Sequence, residues 1–136
     1  MRNPYFRFKQ FTIRHDKCAM KVGTDGVLLG AWAQIDDTAA ESTCRILDIG
    51  TGSGLIALML AQRYKNAIIE GIDIDKASVK QAIENAAEAN MGNRVTISMR
   101  DFSAPHPDTE ATTTPGTKPA TDSMMAYKYD LIVSNP

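Results

Sequence analysis

Four short apolar runs alternate with helix-forming segments along the chain. The apolar runs cover residues 45–50, 67–73, 95–99 and 129–134, and the helical segments cover residues 27–33, 55–64 and 76–90. Strands that alternate with helices at this spacing are joined by right-handed crossovers and lie parallel in one sheet. We therefore predict an α/β fold with a doubly wound, mostly parallel sheet.

Polar residues at the helix starts predict where two of the helices begin. Thr24 or Asp25 is expected to cap the helix at 27–33, and Asp75 the helix at 76–90. Short polar side chains accept hydrogen bonds from the first free backbone N–H groups of a helix. The polar cluster at 90–93 is expected to end the long helix.

One segment interrupts the alternation between the third and fourth strands. Residues 105–123 hold four of the six prolines, six threonines and no aromatic residue. A segment of this composition buries too little apolar surface to order itself. We predict a mobile insertion over about 103–124, with part of a helix near 124–126; the alternative is a threonine-rich lid over a substrate.

The composition fits one globular domain. The chain has 136 residues, 43% of them apolar and 23% charged, which is enough for one core and too few for two domains. No run approaches the roughly 18–20 apolar residues of a membrane span, and the N-terminus lacks a secretory signal. Cys18 and Cys44 lack metal-ligand spacing, and His15 and His106 lie far apart. We expect a cytoplasmic protein with reduced thiols, no metal and no membrane contact.

Positive charge is concentrated in an N-terminal arm. The first 24 residues hold six cations and one aspartate, a balance of +5, although the net charge of the whole chain is -1. Aromatic residues are interleaved with these cations at Tyr5, Phe6, Phe8 and Phe11. Such an arm either contacts RNA through its cations and rings, or forms an edge strand whose rings enter the core while Arg7 and Lys9 face water. His15 is expected at the surface or facing RNA.

The strongest chemical signal is the loop DIGTGSG, which holds Asp48, Gly50, Gly52 and Gly54 at a strand-to-helix junction. Glycine lets the backbone approach a ligand closely, and the N–H groups of the helix start point at it. The spacing is not the GxGxxG of a pyrophosphate loop, and no Gly-Lys-Ser/Thr follows. Because Asp48 disfavours a phosphate, we predict a cationic ligand such as the ammonium and sulfonium of S-adenosylmethionine.

Two later strands are also followed by acidic residues. Asp73 ends the second strand, where a carboxylate accepts both hydroxyls of a ribose. Asp101 and Phe102 follow the third strand and supply a carboxylate for an adenine amino group beside a ring to stack on it. The carboxyl ends of parallel strands meet at one edge of a sheet, so we predict an adenosine site there.

The motifs DIGTGSG, GIDID, RDF and SNP occur in this order and resemble those of class I S-adenosylmethionine-dependent methyltransferases, over residues 45–136. The upstream stretch FKQFTIRHDKCAMKVGTDGVLLGAWA resembles the N-terminal signature of the bacterial tRNA1(Val) (adenine-37)-N6 methyltransferases. These resemblances imply a Rossmann-like fold. They also imply cofactor contacts by the arm residues Lys21, Thr24, Asp25 and Gly26, near the methionine end, and by Thr51, Ile74 and Asn135.

Asn135 and Pro136 match the first two places of the Asn-Pro-Pro-aromatic motif of amino-methyltransferases that this chain resembles. The exocyclic amine of adenine is a poor nucleophile because its lone pair is delocalised into the ring. An asparagine oxygen and a proline carbonyl accept both N–H groups and aim the nitrogen at the methyl group, which is catalysis by positioning. We predict that both residues are catalytic.

The predicted function is S-adenosylmethionine-dependent N6-methylation of an adenine next to the anticodon of tRNA-Val, with S-adenosylhomocysteine as product. The alternatives are a related methyltransferase acting on protein glutamine or another RNA base, and a cofactor-binding fragment without activity. We divide the chain into a capping arm (1–26) and the N-terminal part of a methyltransferase domain (27–136) whose C-terminal part is missing. The first four strands alone would leave the fourth as an exposed apolar edge that favours self-association.

Overall fold

A computed structural model describes residues 3–36, 42–103 and 129–136 of the chain. Its strands are β1 (Tyr5–Arg7), β2 (Thr12–Arg14), β3 (Arg45–Ile49), β4 (Ile68–Asp73), β5 (Val95–Met99) and β6 (Leu131–Ser134). Its helices are α1 (Thr24–Trp32), α2 (Leu55–Arg63) and α3 (Lys76–Glu88). The predicted insertion and the helix near 124–126 lie outside the described residues.

The main sheet has the order β5-β4-β3-β6, and every neighbouring pair in it is parallel. This arrangement confirms the predicted α/β fold. In the central strand β3, the neighbouring residues Ile46 and Leu47 are both buried, as expected for a strand that is covered on both faces. None of the described helices is long and apolar enough to cross a membrane.

Helix α2 packs against both the sheet and α1 and is buried over most of its length. Its mostly apolar sequence follows from that position, since a helix covered on two sides has little surface left for polar residues. Gly30 lets α1 approach closely: a Cβ at this position would lie 2.6 Å from Sδ of Met59. The close contact between these two helices therefore depends on glycine, which has no side chain, at position 30.

The two predicted helix caps have different outcomes. Asp75 caps α3 as predicted, because its Oδ2 accepts hydrogen bonds from the backbone N–H (3.0 Å) and hydroxyl (2.7 Å) of Ser78. The capping prediction for α1 is wrong. This helix begins at Thr24, earlier than predicted, and its N-cap is Gly23, without a side-chain hydrogen bond. Thr24 and Asp25 therefore lie inside the first turn.

The N-terminal arm forms a hairpin of its own and is not an edge strand of the main sheet. Strands β1 and β2 pair antiparallel, and the N–H of Phe8 donates to the carbonyl of Phe11 (2.8 Å) across the turn. Phe11 enters the core, whereas Tyr5 and Phe6 are 44% and 43% exposed. The expectation that the rings enter the core thus holds for Phe11 and is wrong for the two rings on β1.

His15 is buried, and the prediction of a surface position is wrong. Its Nδ1 accepts a hydrogen bond from the N–H of Val22 (2.8 Å), and its Nε2 lies 2.9 Å from the carbonyl oxygen of Asn3. A neutral ring with its proton on Nε2 satisfies both contacts. His15 therefore ties the start of the chain to the segment that precedes α1.

Candidate ligand-binding site

A cleft of about 400 Å³ opens at the carboxyl ends of β3, β4 and β6. Four parts of the chain line it: residues 19–26 before and at the start of α1, residues 50–56 around the glycine loop, residues 73–78 after β4, and residues 135–136 after β6. This edge of a parallel sheet is where open α/β folds bind ligands.

Most of the predicted site residues lie in this cleft. Those that line it are Lys21, Gly26, Gly50, Thr51, Gly52, Asp73, Ile74, Asn135 and Pro136. Those that do not are Thr24, Asp25, Asp48, Gly54, Asp101 and Phe102. The lining residues that the sequence did not single out as ligand contacts are Ala19, Met20, Val22, Gly23, Ser53, Leu55, Ile56, Asp75 and Ser78.

The glycine loop has the backbone conformation that its spacing requires. Gly50, Gly52 and Gly54 have φ angles of 68°, 55° and 84°, in the left-handed region that glycine adopts readily. Nothing lies within 4 Å of a Cβ built at Gly50 or Gly52, so these two positions leave backbone open to a ligand. Gly54 instead serves packing, because a Cβ there would lie 3.3 Å from Cβ of Ala82 in α3.

Asp73 holds the loop and the following turn with its two carboxylate oxygens. Its Oδ2 accepts from the N–H of Gly52 (2.8 Å), and its Oδ1 accepts from the N–H of Asp75 (2.9 Å). Each carboxylate oxygen has a second lone pair. Asp73 is therefore fixed in position and still able to accept hydrogen bonds from two ligand hydroxyls.

Asp48 lies beneath the loop and not on its surface. Its side chain is only 1% exposed, its Oδ2 accepts from the hydroxyl of Thr51 (2.8 Å), and its Oδ1 has no hydrogen-bond partner. Burial raises the pKa of this carboxyl to about 7. The prediction of a direct contact with a cationic ligand is therefore not supported, because the loop separates the carboxyl from the cleft.

Lys21 lines the cleft, but its ammonium group is directed at the backbone. Nζ lies 2.6 Å from the carbonyl oxygen of His15 and 3.2 Å from those of Asp16 and Cys18. An ammonium group has three N–H donors, so these three acceptors occupy all of them. Lys21 thus shapes the wall of the cleft, and the donors are not available to a ligand.

Two buried polar residues of α3, Gln81 and Asn85, attach this wall to the rest of the fold. Oε1 of Gln81 accepts from the N–H of Lys17 (3.0 Å), and its Nε2 donates to Oδ1 of Asp16 (2.8 Å). Nδ2 of Asn85 donates to the carbonyls of Arg14 (2.9 Å) and Ser53 (2.8 Å). The sequence signal was their spacing of four residues, which places both amides on one face of α3.

Asn135 lines the cleft beside the start of α1. A Cβ at Gly26 would be 3.4 Å from Nδ2 of Asn135 and 3.0 Å from Cδ2 of Leu55. The hydroxyl of Ser134 donates to the carbonyl of Ile49 (3.1 Å), which fixes the end of β6 against β3. The predicted catalytic and cofactor-binding segments are therefore adjacent.

Asp101 and Phe102 lie on the turn after β5 and do not line the cleft. Oδ1 of Asp101 accepts from the N–H (2.8 Å) and hydroxyl (2.6 Å) of Ser103, and these bonds lower its pKa. Phe102 is exposed. Their contact with an adenine stays a prediction. Within the described residues, no group of three or more His, Cys, Asp or Glu side chains could hold a metal ion.

A parallel sheet, a glycine loop after its first strand and an acidic residue after the next strand define a nucleotide-binding protein of the Rossmann type. A family model described as a methyltransferase domain matches residues 40–135. The chain therefore belongs to the methyltransferase domain family.

Curated relatives are more specific in name. A tRNA1(Val) (adenine(37)-N6)-methyltransferase of Parabacteroides distasonis is 52% identical over the whole chain, and one of Enterobacter sp. is 46% identical. These matches confirm the resemblance noted from the motifs. The chain spans about half the length of these relatives, 48% and 47%. A solved coclaurine N-methyltransferase structure covers 86% of this chain and 30% of its own, at 22% identity and a TM-score of 0.55, which supports the fold alone.

Proposed function

We propose that the protein containing this chain transfers a methyl group from S-adenosylmethionine to N6 of an adenine in tRNA-Val, at the base next to the anticodon. The observation that carries the proposal is the position of Asn135, which lines the glycine-loop cleft beside Pro136. The names of the curated relatives give N6-methylation of adenine 37 in tRNA1(Val) as the reaction of those proteins. A tRNA substrate also favours the cytoplasm as the protein's location.

The charges around the cleft fit S-adenosylmethionine better than a pyrophosphate ligand. Asp73 and Asp75 line the cleft. The cation that lines it, Lys21, already donates to three backbone carbonyls. When bound, the cofactor supplies an electrophilic methyl group on a positively charged sulfur. An acidic cleft without an available ammonium group stabilises positive charge and repels phosphate.

Asn135 and Pro136 act by orientation and not by removing a proton in advance. The Asn135 side-chain oxygen and the Pro136 carbonyl accept the two N–H groups of the adenine amine. Holding both hydrogens on one side directs the nitrogen lone pair toward the cleft. The amine becomes acidic once it is methylated, so no strong base is needed beside it.

Transfer of a labelled methyl group to unmodified tRNA-Val by the complete gene product tests this proposal. We expect Asn135→Ala to lower kcat on the order of 100-fold. Asn93→Ala is the matched control, because Asn93 is exposed and lies outside the cleft. Full activity of Asn135→Ala would refute the role given to this residue.

We also propose that the 136-residue chain on its own binds the cofactor weakly, turns over little and self-associates through β6. Among the described strands, β6 pairs with β3 alone and leaves its other edge unpaired. Ile132 on β6 is 55% exposed, and a cavity of about 470 Å³ separates this strand from the exposed Trp32. Exposed apolar strand edges pair with other chains. A concentration-independent monomer in light scattering would contradict this proposal.

A further inference from the structure

We propose that the β1–β2 hairpin is a contact surface for single-stranded RNA. This inference rests on the proposed tRNA substrate and identifies where that substrate is bound outside the cleft. The surface consists of Tyr5, Arg7 and Lys9. It combines exposed aromatic and cationic side chains, which are the two chemical features that bind unpaired nucleotides.

The strand geometry places a ring and a cation side by side. Tyr5 and Arg7 are two positions apart on β1, so they share one face and are separated by about 7 Å along the strand. On β2 they pair with Arg14 and Thr12. Phe6 pairs with the buried Ile13 and points to the opposite face. A nucleotide stacked on the Tyr5 ring would therefore have its phosphate within reach of Arg7.

The cations of the arm fall into two groups. Nε of Arg14 pairs with Glu88 (3.2 Å), Nζ of Lys17 pairs with Glu84 (3.4 Å), and Lys21 binds backbone carbonyls. Arg7 and Lys9 make no ion pair within the described part of the chain, and both are exposed. Among the described cations of the arm, those without an ion pair or a backbone carbonyl partner are thus on the hairpin.

The hairpin is anchored to the core, which makes it a preformed surface. The rings of Phe6 and Phe8 lie 4.9 Å apart between centroids, and those of Phe8 and Phe11 stack at 4.7 Å. Phe11 is buried, and the N–H of Arg14 donates to Oδ1 of Asn85 in α3 (2.9 Å). A surface held in this way loses little conformational entropy when it binds a ligand.

Helix α3 contacts both the hairpin and the cleft, and Asn85 on this helix donates to the carbonyls of Arg14 on β2 and of the cleft residue Ser53. Arg14 contacts Glu88 near the last turn of this helix, whereas Ser78 in the first turn lines the cleft. Ten helical residues separate the two contacts, which corresponds to about 15 Å. An RNA strand whose target base enters the cleft can therefore reach the hairpin with nearby nucleotides.

Binding of unmodified tRNA-Val to the complete gene product, measured by fluorescence anisotropy at several salt concentrations, tests this inference. We expect the double variant Arg7→Ala/Lys9→Ala to raise Kd about tenfold or more and to lower the salt slope by about 1.4, since each single-strand phosphate contact contributes about 0.7. The control is Lys65→Ala/Lys80→Ala, which removes the same charge from exposed positions elsewhere.

Variants of Tyr5 test the contribution of ring stacking to RNA binding separately from that of charge. We expect Tyr5→Ala to raise Kd between about 5-fold and 100-fold, and Tyr5→Phe to restore binding because it keeps the ring. In methyl transfer, the hairpin variants should raise KM for tRNA and leave kcat unchanged, which a folding defect would not do.

The results separate this inference from the proposed function. Hairpin variants that bind and methylate tRNA like the lysine control would overturn the inference and leave the function intact. Wild-type protein that binds tRNA through the hairpin and transfers no methyl group would support the inference and contradict the function. Equal loss of affinity for a duplex RNA and for a single strand would overturn the single-strand assignment.

Discussion

The buried carboxyl of Asp48 makes a strong prediction about stability and pH. Its pKa of about 7 lies about three units above the ordinary value of 3.8 for an aspartate, because burial disfavours the ionised form. Each unit corresponds to about 1.36 kcal/mol, so ionisation inside the fold costs about 4 kcal/mol. Between pH 4 and 7 the folded chain binds more protons than the unfolded chain. The free energy of unfolding therefore falls as the pH rises through this range and is level above it.

Asp48→Asn removes this cost. In the native protein the Thr51 hydroxyl donates to Oδ2 of Asp48 at 2.8 Å. The amide oxygen of an asparagine can still accept this hydrogen bond. The new amide N–H groups would lie where Oδ1 has no partner, which costs about 1–3 kcal/mol. The net expectation is a gain of about 1–3 kcal/mol at pH 8 and no gain at pH 4, where the native carboxyl is protonated.

Denaturant unfolding of the complete gene product at pH 4 and pH 8 measures both values. The control is Asp101→Asn, because hydrogen bonds lower the pKa of the exposed Asp101, and its neutral variant should not stabilise the fold at pH 8. If Asp48→Asn destabilised the protein at pH 8, or stabilised it equally at both pH values, the reasoning about the buried carboxyl would be wrong.

Three substitutions test packing: one between α1 and α2, one at the cleft and one at the residue that supports the cleft wall. Gly30→Ala places a Cβ 2.6 Å from Sδ of Met59 and should cost about 1–3 kcal/mol in denaturant unfolding. Gly26→Ala brings a Cβ to 3.4 Å from Nδ2 of Asn135 and should lower kcat about tenfold in methyl transfer, with a smaller effect on stability. Asn85→Ala leaves buried backbone groups unpaired and should lower the free energy of unfolding by about 2–4 kcal/mol.

Two exposed positions supply matched controls for these substitutions. A Cβ at Gly92 meets nothing within 4 Å, so Gly92→Ala should leave both stability and kcat unchanged. Asn66→Ala removes an exposed amide and should not change the free energy of unfolding. Glycine or asparagine variants of the cleft that behave like these controls would show that the packing described here has no energetic effect.

The sequence predicted the four strands of the main sheet and the starts of α2 and α3, and it misplaced the start of α1. The bounds of β5, Val95–Met99, agree with the prediction, because alternation in a strand is a local property of the sequence. Helix α1 begins earlier than predicted, since glycine at position 23 accepts the N-cap role that Thr24 or Asp25 would fill in an isolated peptide. Pairing of the arm with itself depends on contacts that no local pattern encodes.

The position of a site residue could be predicted better than its contacts. Asp73 lies at the strand end where its spacing placed it, with lone pairs available. Asp48 was predicted beside a ligand. Side chains alternate between the two faces of β3, however, and the Asp48 side chain lies on the same buried face as that of Ile46. Lys21 lies in the cleft, yet its ammonium group donates to backbone carbonyls of residues 15–18. These carbonyls come close to Nζ only in the folded chain, so the sequence does not show the contact.

The most direct test is the chemical identity of the methylated nucleoside. The complete gene product is incubated with unmodified tRNA-Val and S-adenosylmethionine, and the digested tRNA is analysed by mass spectrometry. We expect N6-methyladenosine at the base next to the anticodon, and an initial rate of its formation about 100-fold lower when Asn135 is replaced by alanine. Methylation at another atom or another base, or unchanged N6-methyladenosine with the Asn135→Ala variant, would contradict the proposed function.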